Sequence, residues 1–371
     1  MGMAPPPLLI VAAEASADLH AAQAVRALRA AVPGFRCYGV GGPALRAEGL
    51  DPLGRAEELG VMGLWEVLRR LPAIKRAYDG ILARVRLERP AAALLLDYPG
   101  FNFRLMKALD ALGVPVVYYI CPQVWAWHEG RVDVLARHAA QRLVIFPFEE
   151  EFYRKRGVEA RYVGHPLLDV LPPPSPDPPD GPLRVGLFPG SRNSEVSRLL
   201  PVFGRLAMAA LSRFPETRFV LFPAPTLTRD DLLRHLPKGL EIEVEEGDRH
   251  AAMRTLHLAL MASGTITLEA ALMGVPGLVG YRVNPLTYRL LRRKVKVPHI
   301  AIVNLLLGRA VFPEFLQDEC GGAAMEAAFF DLLASTRRRE EIRRDALVLR
   351  THLRGGAASQ VAAVMRQYLS E

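Results

Sequence analysis

The 371-residue sequence has only three cysteines, Cys37, Cys121 and Cys320, and no C-x-x-C spacing. A disulfide framework and a cysteine zinc site are therefore not supported, and a reducing cytoplasm is the expected compartment. No Lys or Arg precedes the first apolar run, and that run stops at Glu14, which argues against a secretory signal. The longest apolar stretch, residues 257–281, carries Ser263, Thr265, Thr267 and Glu269 near its middle. Burying that carboxylate in hydrocarbon is too costly for a membrane span. The phosphate loop G-x-x-x-x-G-K-[ST] is missing, and no G-x-G-x-x-G follows a strand, so P-loop NTPase and NAD-dependent oxidoreductase readings fail. There is no D-x-D pair suited to Mg²⁺, and neither a metal nor a cofactor is expected. No recognised RNA-binding module occurs, and nucleic acid is not an expected partner.

What is present is apolar and basic. Half of the residues are hydrophobic, and the formal charge is +8 with a pI near 9.6. That is enough apolar material for two cores, and the charge favours an anionic partner such as a phosphorylated metabolite or an acidic membrane. Apolar runs at 8–13, 91–97, 114–120 and 142–146 alternate with helical patterns, which predicts α/β architecture with a doubly wound parallel sheet. Seven prolines in 171–182 mark a stiff linker, after which strands and helices alternate again from 183. The expected organisation is a first domain over 1–171, a linker over 172–182 and a second α/β domain over 183–339, facing a cleft. Helices from about 340 to 371 are candidates to pack back on the first domain.

Candidate chemistry clusters where strands end. "FPGSRNSEV" places Gly190, Ser191 and Arg192 at a helix start, where free N–H groups and a guanidinium attract an anion; an ordinary β–α turn is the alternative. "MASGTITLEA" places Ser263, Gly264, Thr265 and Thr267 at a second helix start. Glu269 there is either an acceptor for a ribose diol or a helix-capping carboxylate. In the first domain, Glu14, Ser16 and Asp18 follow the first strand, and Asp97 ends "LLLD". Open α/β sheets bind ligands at that edge, where Asp97 reads as a general base or a helix cap.

Two of the three tryptophans, Trp125 and Trp127, share "CPQVWAWHEGR" with Pro122, His128 and Arg131. Indoles offer flat apolar walls with one donor each, and His128 and Arg131 suit a phosphate; the alternative is plugging of the core. Residues 61–76 set Val61, Met62, Leu64, Trp65 and Leu68 beside Arg69 and Arg70, a pattern for an interfacial helix on anionic lipid or a solvated basic face.

With these residues in place, the chain resembles the lipid-A-disaccharide synthases, glycosyltransferases of GT-B type, from end to end. The resemblance rests on "AAEASADLH", "ELGVMGLWEVL", "LLLDYPGFN", "YYICPQVWAWHEGRV", "YVGHPLLD", "LFPGSRNSEV", "MASGTITLEA" and "VNLLLGRAVFPEFLQDEC", in that order. Departures are Ala13 and Ala17 where the family has glycines, Cys121 for serine, and Gly100 for an acid.

The resemblance implies two Rossmann-like domains with UDP on the second. It implies transfer from UDP-2,3-diacylglucosamine to 2,3-diacylglucosamine 1-phosphate, with inversion. Asp97 would be the base, Arg192 and the "SGT" turn would hold the diphosphate, and Glu269 the ribose. Asn304 and Arg309 of "NLLLGR" fall with the UDP-sugar residues and His165 of "YVGHPLLD" with the acceptor side, their roles unfixed. The implied setting is the cytoplasmic face of the inner membrane, with anionic lipid as partner and a homodimer left open. The alternative is another UDP-sugar enzyme of this architecture, a UDP-N-acetylglucosamine 2-epimerase or an undecaprenyl-linked N-acetylglucosaminyltransferase.

Overall fold

The computed structural model describes residues 6–55, 64–126, 129–174, 181–224, 227–285, 288–289 and 297–369, with the side chains of Arg55 and of 64–70 outside the description. The chain forms two compact units, Met1–Asp169 with Leu353–Glu371, and Val170–His352.

In the first unit the elements are β1 (Leu8–Ala12), α1 (Ala15–Ala31), β2 (Cys37–Gly41), α2 (Pro43–Ala47), β3 (Leu50–Arg55), α3 (Leu64–Glu88), β4 (Ala92–Leu96), α4 (Pro99–Ala111), β5 (Val116–Tyr119), α5 (Arg131–His138), β6 (Gln141–Val144), α6 (Pro147–Arg154) and β7 (Arg161–Tyr162). All strand pairs are parallel, in the order β3-β2-β1-β4-β5-β6-β7. Because successive side chains of a strand point to opposite faces, the uninterrupted apolar runs feed two cores. Leu9, Val11, Ala93, Leu95, Val116 and Tyr118 pack into one. Leu8, Ile10, Leu94, Leu96, Val117 and Tyr119 pack into the other.

The second unit repeats the plan with β8 (Arg184–Phe188), α7 (Asn193–Leu211), β9 (Arg218–Leu221), α8 (Arg229–Leu233), β10 (Glu243–Val244), α9 (Arg249–Met253), β11 (Leu258–Ala262), α10 (Thr265–Met273), β12 (Gly277–Tyr281), α11 (Ile302–Leu307), β13 (Glu314–Leu316), α12 (Ala323–Ala334), α13 (Thr336–Leu347) and α14 (Leu349–His352). Its strand order is β10-β9-β8-β11-β12-β13, again all parallel. Both orders reverse direction once, between β1 and β4 and between β8 and β11. Such a switch point opens a crevice at the carboxyl ends of the two strands.

The return to the first unit comes at Leu353, later than the expected residue 340, and only α15 (Ala357–Leu369) joins that unit. The reason is apolar: Ile342, Ala346 and Leu349 are buried within the second unit, while Val361, Ala362, Val364 and Met365 complete the core around α1. Each of the Ile, Leu, Val and Met side chains among these contributes about 1.5–3 kcal/mol when buried. Gly164 makes the return possible, because at φ +98° a Cβ would stand 2.8 Å from the carbonyl oxygens of Arg354 and Gly355. Asp169 then caps the start of α15, accepting from the N–H groups of Gly356 and Ala358. Among the described residues no helix is long and apolar enough to cross a membrane.

Candidate active site

Asp97 directly follows β4, on one side of the first switch point. It lies at φ +46° and Tyr98 at +43°, two consecutive L-residues in the left-handed region. Non-glycine residues there cost on the order of 1–3 kcal/mol each and persist only when surroundings over-determine them. Here the surroundings are specific. Asn102, fully buried on the first turn of α4, donates through Nδ2 to the carbonyls of Leu96 (3.0 Å) and Asp97 (2.8 Å). The Tyr118 hydroxyl donates to the same Asp97 carbonyl at 2.7 Å. Pro99 opens the helix, and the Tyr98 ring stacks on Phe101. The Asp97 side chain is half-buried at this turn.

Glu14, half-buried at the start of α1, lies on the other side of this switch point. Burial, and then the Glu14 carboxylate, push the Tyr98 phenol above its ordinary pKa, which places Glu14 beside the Asp97–Tyr98 turn. Ser16 is exposed at the same edge. Asp18 is not part of it. Its buried carboxylate accepts from the N–H groups of Gly42 (2.7 Å), Ala44 (2.9 Å) and Leu45 (3.1 Å), so it is consumed in capping α2.

Pro122 is buried after β5, and the Trp125 indole donates to Glu149 Oε1 at 3.0 Å. Glu149, itself buried, also accepts from the N–H groups of Ile145 and Phe146, and burial pushes its pKa up to about 7 despite these donors. Trp125 packs edge-on against Phe148 at 5.0 Å, so this indole is half-buried and anchored. Arg131 opens α5 with its guanidinium 5.3 Å from the Phe103 ring centroid. Trp127 and His128 lie outside the described residues. So do Val61, Met62 and the side chains of Leu64, Trp65, Leu68, Arg69 and Arg70, whose backbone begins α3. His165 corrects its expected role: it is buried, burial and then His20 lower its pKa to about 3, and its Nδ1 accepts from the Leu167 N–H. It is a neutral core histidine against Phe146, closed to an acceptor.

In the second unit, Gly190 lies at φ +106°, and a Cβ there would stand 2.4 Å from Glu195 Oε2. Glu195, in the first turn of α7, accepts from the Ser191 N–H at 3.1 Å and from Arg192 at 2.9 Å. An internal carboxylate thus already sits where helix-start N–H groups and a guanidinium favour negative charge.

Across that switch point, Gly264 and Thr265 are exposed at the start of α10, and the Ser263 hydroxyl donates to the Ile300 carbonyl at 3.0 Å. Thr267 is fully buried and its hydroxyl is spent on the Gly264 carbonyl, so it shapes the turn and is closed to a ligand. Glu269 accepts from Arg249 (3.3 Å) and His250 (3.0 Å), both at Oε1. Burial pushes its carboxyl up, but these two partners outweigh burial and hold it below the usual range, while Glu269 raises His250.

Asn304 and Arg309 depart from the expected grouping. Asn304 is fully buried with every hydrogen-bonding position used: Nδ2 donates to the Phe312 carbonyl and Glu314, and Oδ1 accepts from the N–H groups of Val311 and Phe312. Glu314 in turn accepts from the N–H groups of Ile300 and Ala301, so Asn304 braces the loop that Ser263 bonds. Arg309 pairs with Asp345 at 2.7 Å and lines a cavity of about 580 Å³ with Arg338, Glu341 and Arg344, apart from the Gly190 and Gly264 turns. The sequence reading missed Asn102, Tyr118, Glu195, Arg249 and His250. Asn102 had a signal, five residues after Asp97 in the same block; Arg249 and His250 had only the Asp248 cap before them.

A family profile described as Lipid-A-disaccharide synthetase matches residues 8–368. The chain belongs to this family. It is 43% identical over 343 residues to the lipid-A-disaccharide synthase of Anaeromyxobacter dehalogenans (strain 2CP-C), covering 90% of this chain and 89% of that one. Against the lipid-A-disaccharide synthase of Geobacter metallireducens the identity is 38% over 382 residues, covering both chains in full. A member of the lipid-A-disaccharide synthetase family, it is a glycosyltransferase of lipid A disaccharide synthesis. Solved structures show the fold at greater distance. The UDP-GlcNAc 2-epimerase from Neisseria meningitidis, bound to UDP-GlcNAc, matches with a TM-score of 0.64 at 11% identity, covering 98% of each chain. The calicheamicin glycosyltransferase CalG4 matches at 0.59 and 15%, covering 100% of this chain and 99% of that one. The architecture is GT-B.

Proposed function

We propose that the first unit binds the acceptor, 2,3-diacylglucosamine 1-phosphate, and the second binds the donor, UDP-2,3-diacylglucosamine. The products are the β-1,6-linked disaccharide 1-phosphate and UDP. The observation that carries this reading is the Asp97 turn, a strained backbone pinned by two buried donors and ending in a carboxylate at a switch point. Asp97 takes the proton of the acceptor 6-hydroxyl as that oxygen attacks the anomeric carbon. The bond from that carbon to the diphosphate breaks on the opposite side, giving inversion. General bases of this kind are worth ~10²–10⁴ in rate.

On the donor side, Arg192 and the helix starts at Ser191 and Gly264–Thr265 stabilise the negative charge that builds on the departing diphosphate. Arg249 and His250 hold Glu269 ionised, as a ribose diol requires of an acceptor. The Trp125 loop walls the acceptor, and α3 lies on anionic lipid at the cytoplasmic face of the inner membrane, leaving acyl chains in the bilayer. No divalent cation takes part.

The test is to incubate the protein with both substrates, with and without EDTA, and follow disaccharide and UDP by mass spectrometry. Equal disaccharide in both supports the reading; no UDP release excludes these substrates, and a loss with EDTA restored by Mg²⁺ excludes the metal-free route. For α3, Trp65→Ser with Leu68→Ser is expected to lower partition onto anionic vesicles, and unchanged partition removes the membrane role.

A further inference from the structure

Directly after the Asp97–Tyr98 turn a groove of about 260 Å³ opens between α4 and α5. It is lined by Pro99, Gly100, Phe103, Arg104, Lys107, Arg131 and Val134. Gly100, Arg104 and Lys107 recur at helical spacing and form one wall; Arg131 and Val134 form the other. Three cations line the groove and no acid does. Of the acids on these two helices, Asp110 pairs with His138 at 2.7 Å, and neither it nor Asp133 lines the groove. Among the described residues none of the three cations makes an ion pair, and Arg131 rests on the Phe103 ring. Cations kept together with no counter-charge among the described residues, beside an apolar strip of Pro99, Phe103 and Val134, match an amphiphile bearing a phosphomonoester.

We propose that this groove is a phosphomonoester site that takes the 1-phosphate of the acceptor sugar. The inference rests on the reading of Asp97 as the base for the acceptor hydroxyl. Along α4 the rise of ~1.5 Å per residue puts the Arg104 turn several ångströms past Asp97. One hexose ring then spans from the base at its 6-hydroxyl to the cations at its 1-phosphate. The site sets which end of the acceptor meets Asp97 and favours a phosphorylated sugar over its dephosphorylated form.

Three proteins decide it: wild type, Arg104→Gln with Lys107→Gln, and Arg131→Gln, with circular dichroism confirming that each folds. KM is measured for 2,3-diacylglucosamine 1-phosphate and for 2,3-diacylglucosamine. Wild type is expected to prefer the phosphorylated acceptor by ~100-fold and each variant by ~10-fold or less, as loss of charge-assisted hydrogen bonds implies, with donor KM moving less than about threefold. An undiminished preference in the variants overturns the site. Calorimetry with glucosamine 1-phosphate and with glucosamine reads the same preference without turnover. If wild type makes no disaccharide yet binds the sugar phosphate through these residues, the reaction fails and the site stands. A lipid headgroup as the true ligand shows itself differently: the variants lose binding to phosphatidylglycerol vesicles while glucosamine 1-phosphate binding is unchanged, which overturns the acceptor assignment.

Discussion

The turn after β4 and the turn after β8 flank the switch points of two sheets whose first six strands follow the same order, yet they carry opposite chemistry. After β4 the backbone is left-handed at two L-residues, held by Asn102 and Tyr118, and it presents a carboxylate. After β8 the left-handed position is Gly190, and the turn presents an N–H group and Arg192, both engaged by Glu195. A shared topology therefore sets where the strand ends converge, while three or four residues there decide whether the turn offers negative or positive charge.

Among residues that support these turns, Asn102 is expected to show the largest effect. Asn102→Leu removes both donors and leaves the Leu96 and Asp97 carbonyls without them, which should lower turnover by ~10–100-fold and stability by ~1–3 kcal/mol. UDP affinity, read by calorimetry, should stay the same; a parallel loss would mean that the β4 turn does not act separately. On the other turn, Arg192→Ala is expected to weaken UDP binding by ~10-fold, the worth of a charge-assisted hydrogen bond, with glucosamine 1-phosphate binding unaltered. Glu195→Gln sharpens the contrast from the opposite direction. Removing the resident negative charge should tighten UDP by ~3-fold, since the diphosphate then meets no like charge at the helix start.

A separate effect, on the first unit's scaffold and not on ligand binding, concerns the Trp125 loop and is read in stability. Glu149 titrates near 4.5 unfolded and about 7 folded, so the folded state binds more protons between those values. Stability should therefore fall as pH rises across that window, by at most about 1.4 kcal/mol per pH unit. Glu149→Gln should flatten that slope in denaturant titrations at several pH values, and an unchanged slope would assign it to other groups.

Much of this frame was legible from strand-end patterns alone. The buried runs at 8–13, 91–97 and 114–120 are continuous and apolar, as strands covered on both faces must be, and each became a central strand. Less visible were β2, which carries Gly39 and Gly41, and β3, an edge strand interrupted by Pro52 and Gly54, since both depart from strand composition. At the candidate site, the sequence places Asp97 directly after β4, Arg192 in the turn after β8 and Glu269 within α10, and the structure finds none of the three fully buried. Asp18, His165, Thr267 and Asn304 matched the same motifs but are buried and bonded internally, because a motif records that a residue type is required without saying whether backbone or ligand requires it. Asn102 and Tyr118 were hidden for the complementary reason. Their partners are main-chain carbonyls, and only the fold shows that those carbonyls belong to a left-handed turn.

The division of labour between the two turns is tested most directly with Asp97→Asn, which keeps the side chain's size and removes its basicity. Disaccharide formation and UDP affinity would be measured on the same preparation. The account requires turnover to fall by ~10²–10⁴ while UDP affinity stays within about twofold of wild type. Retained turnover would make Asp97 a structural feature of its turn and place the base elsewhere.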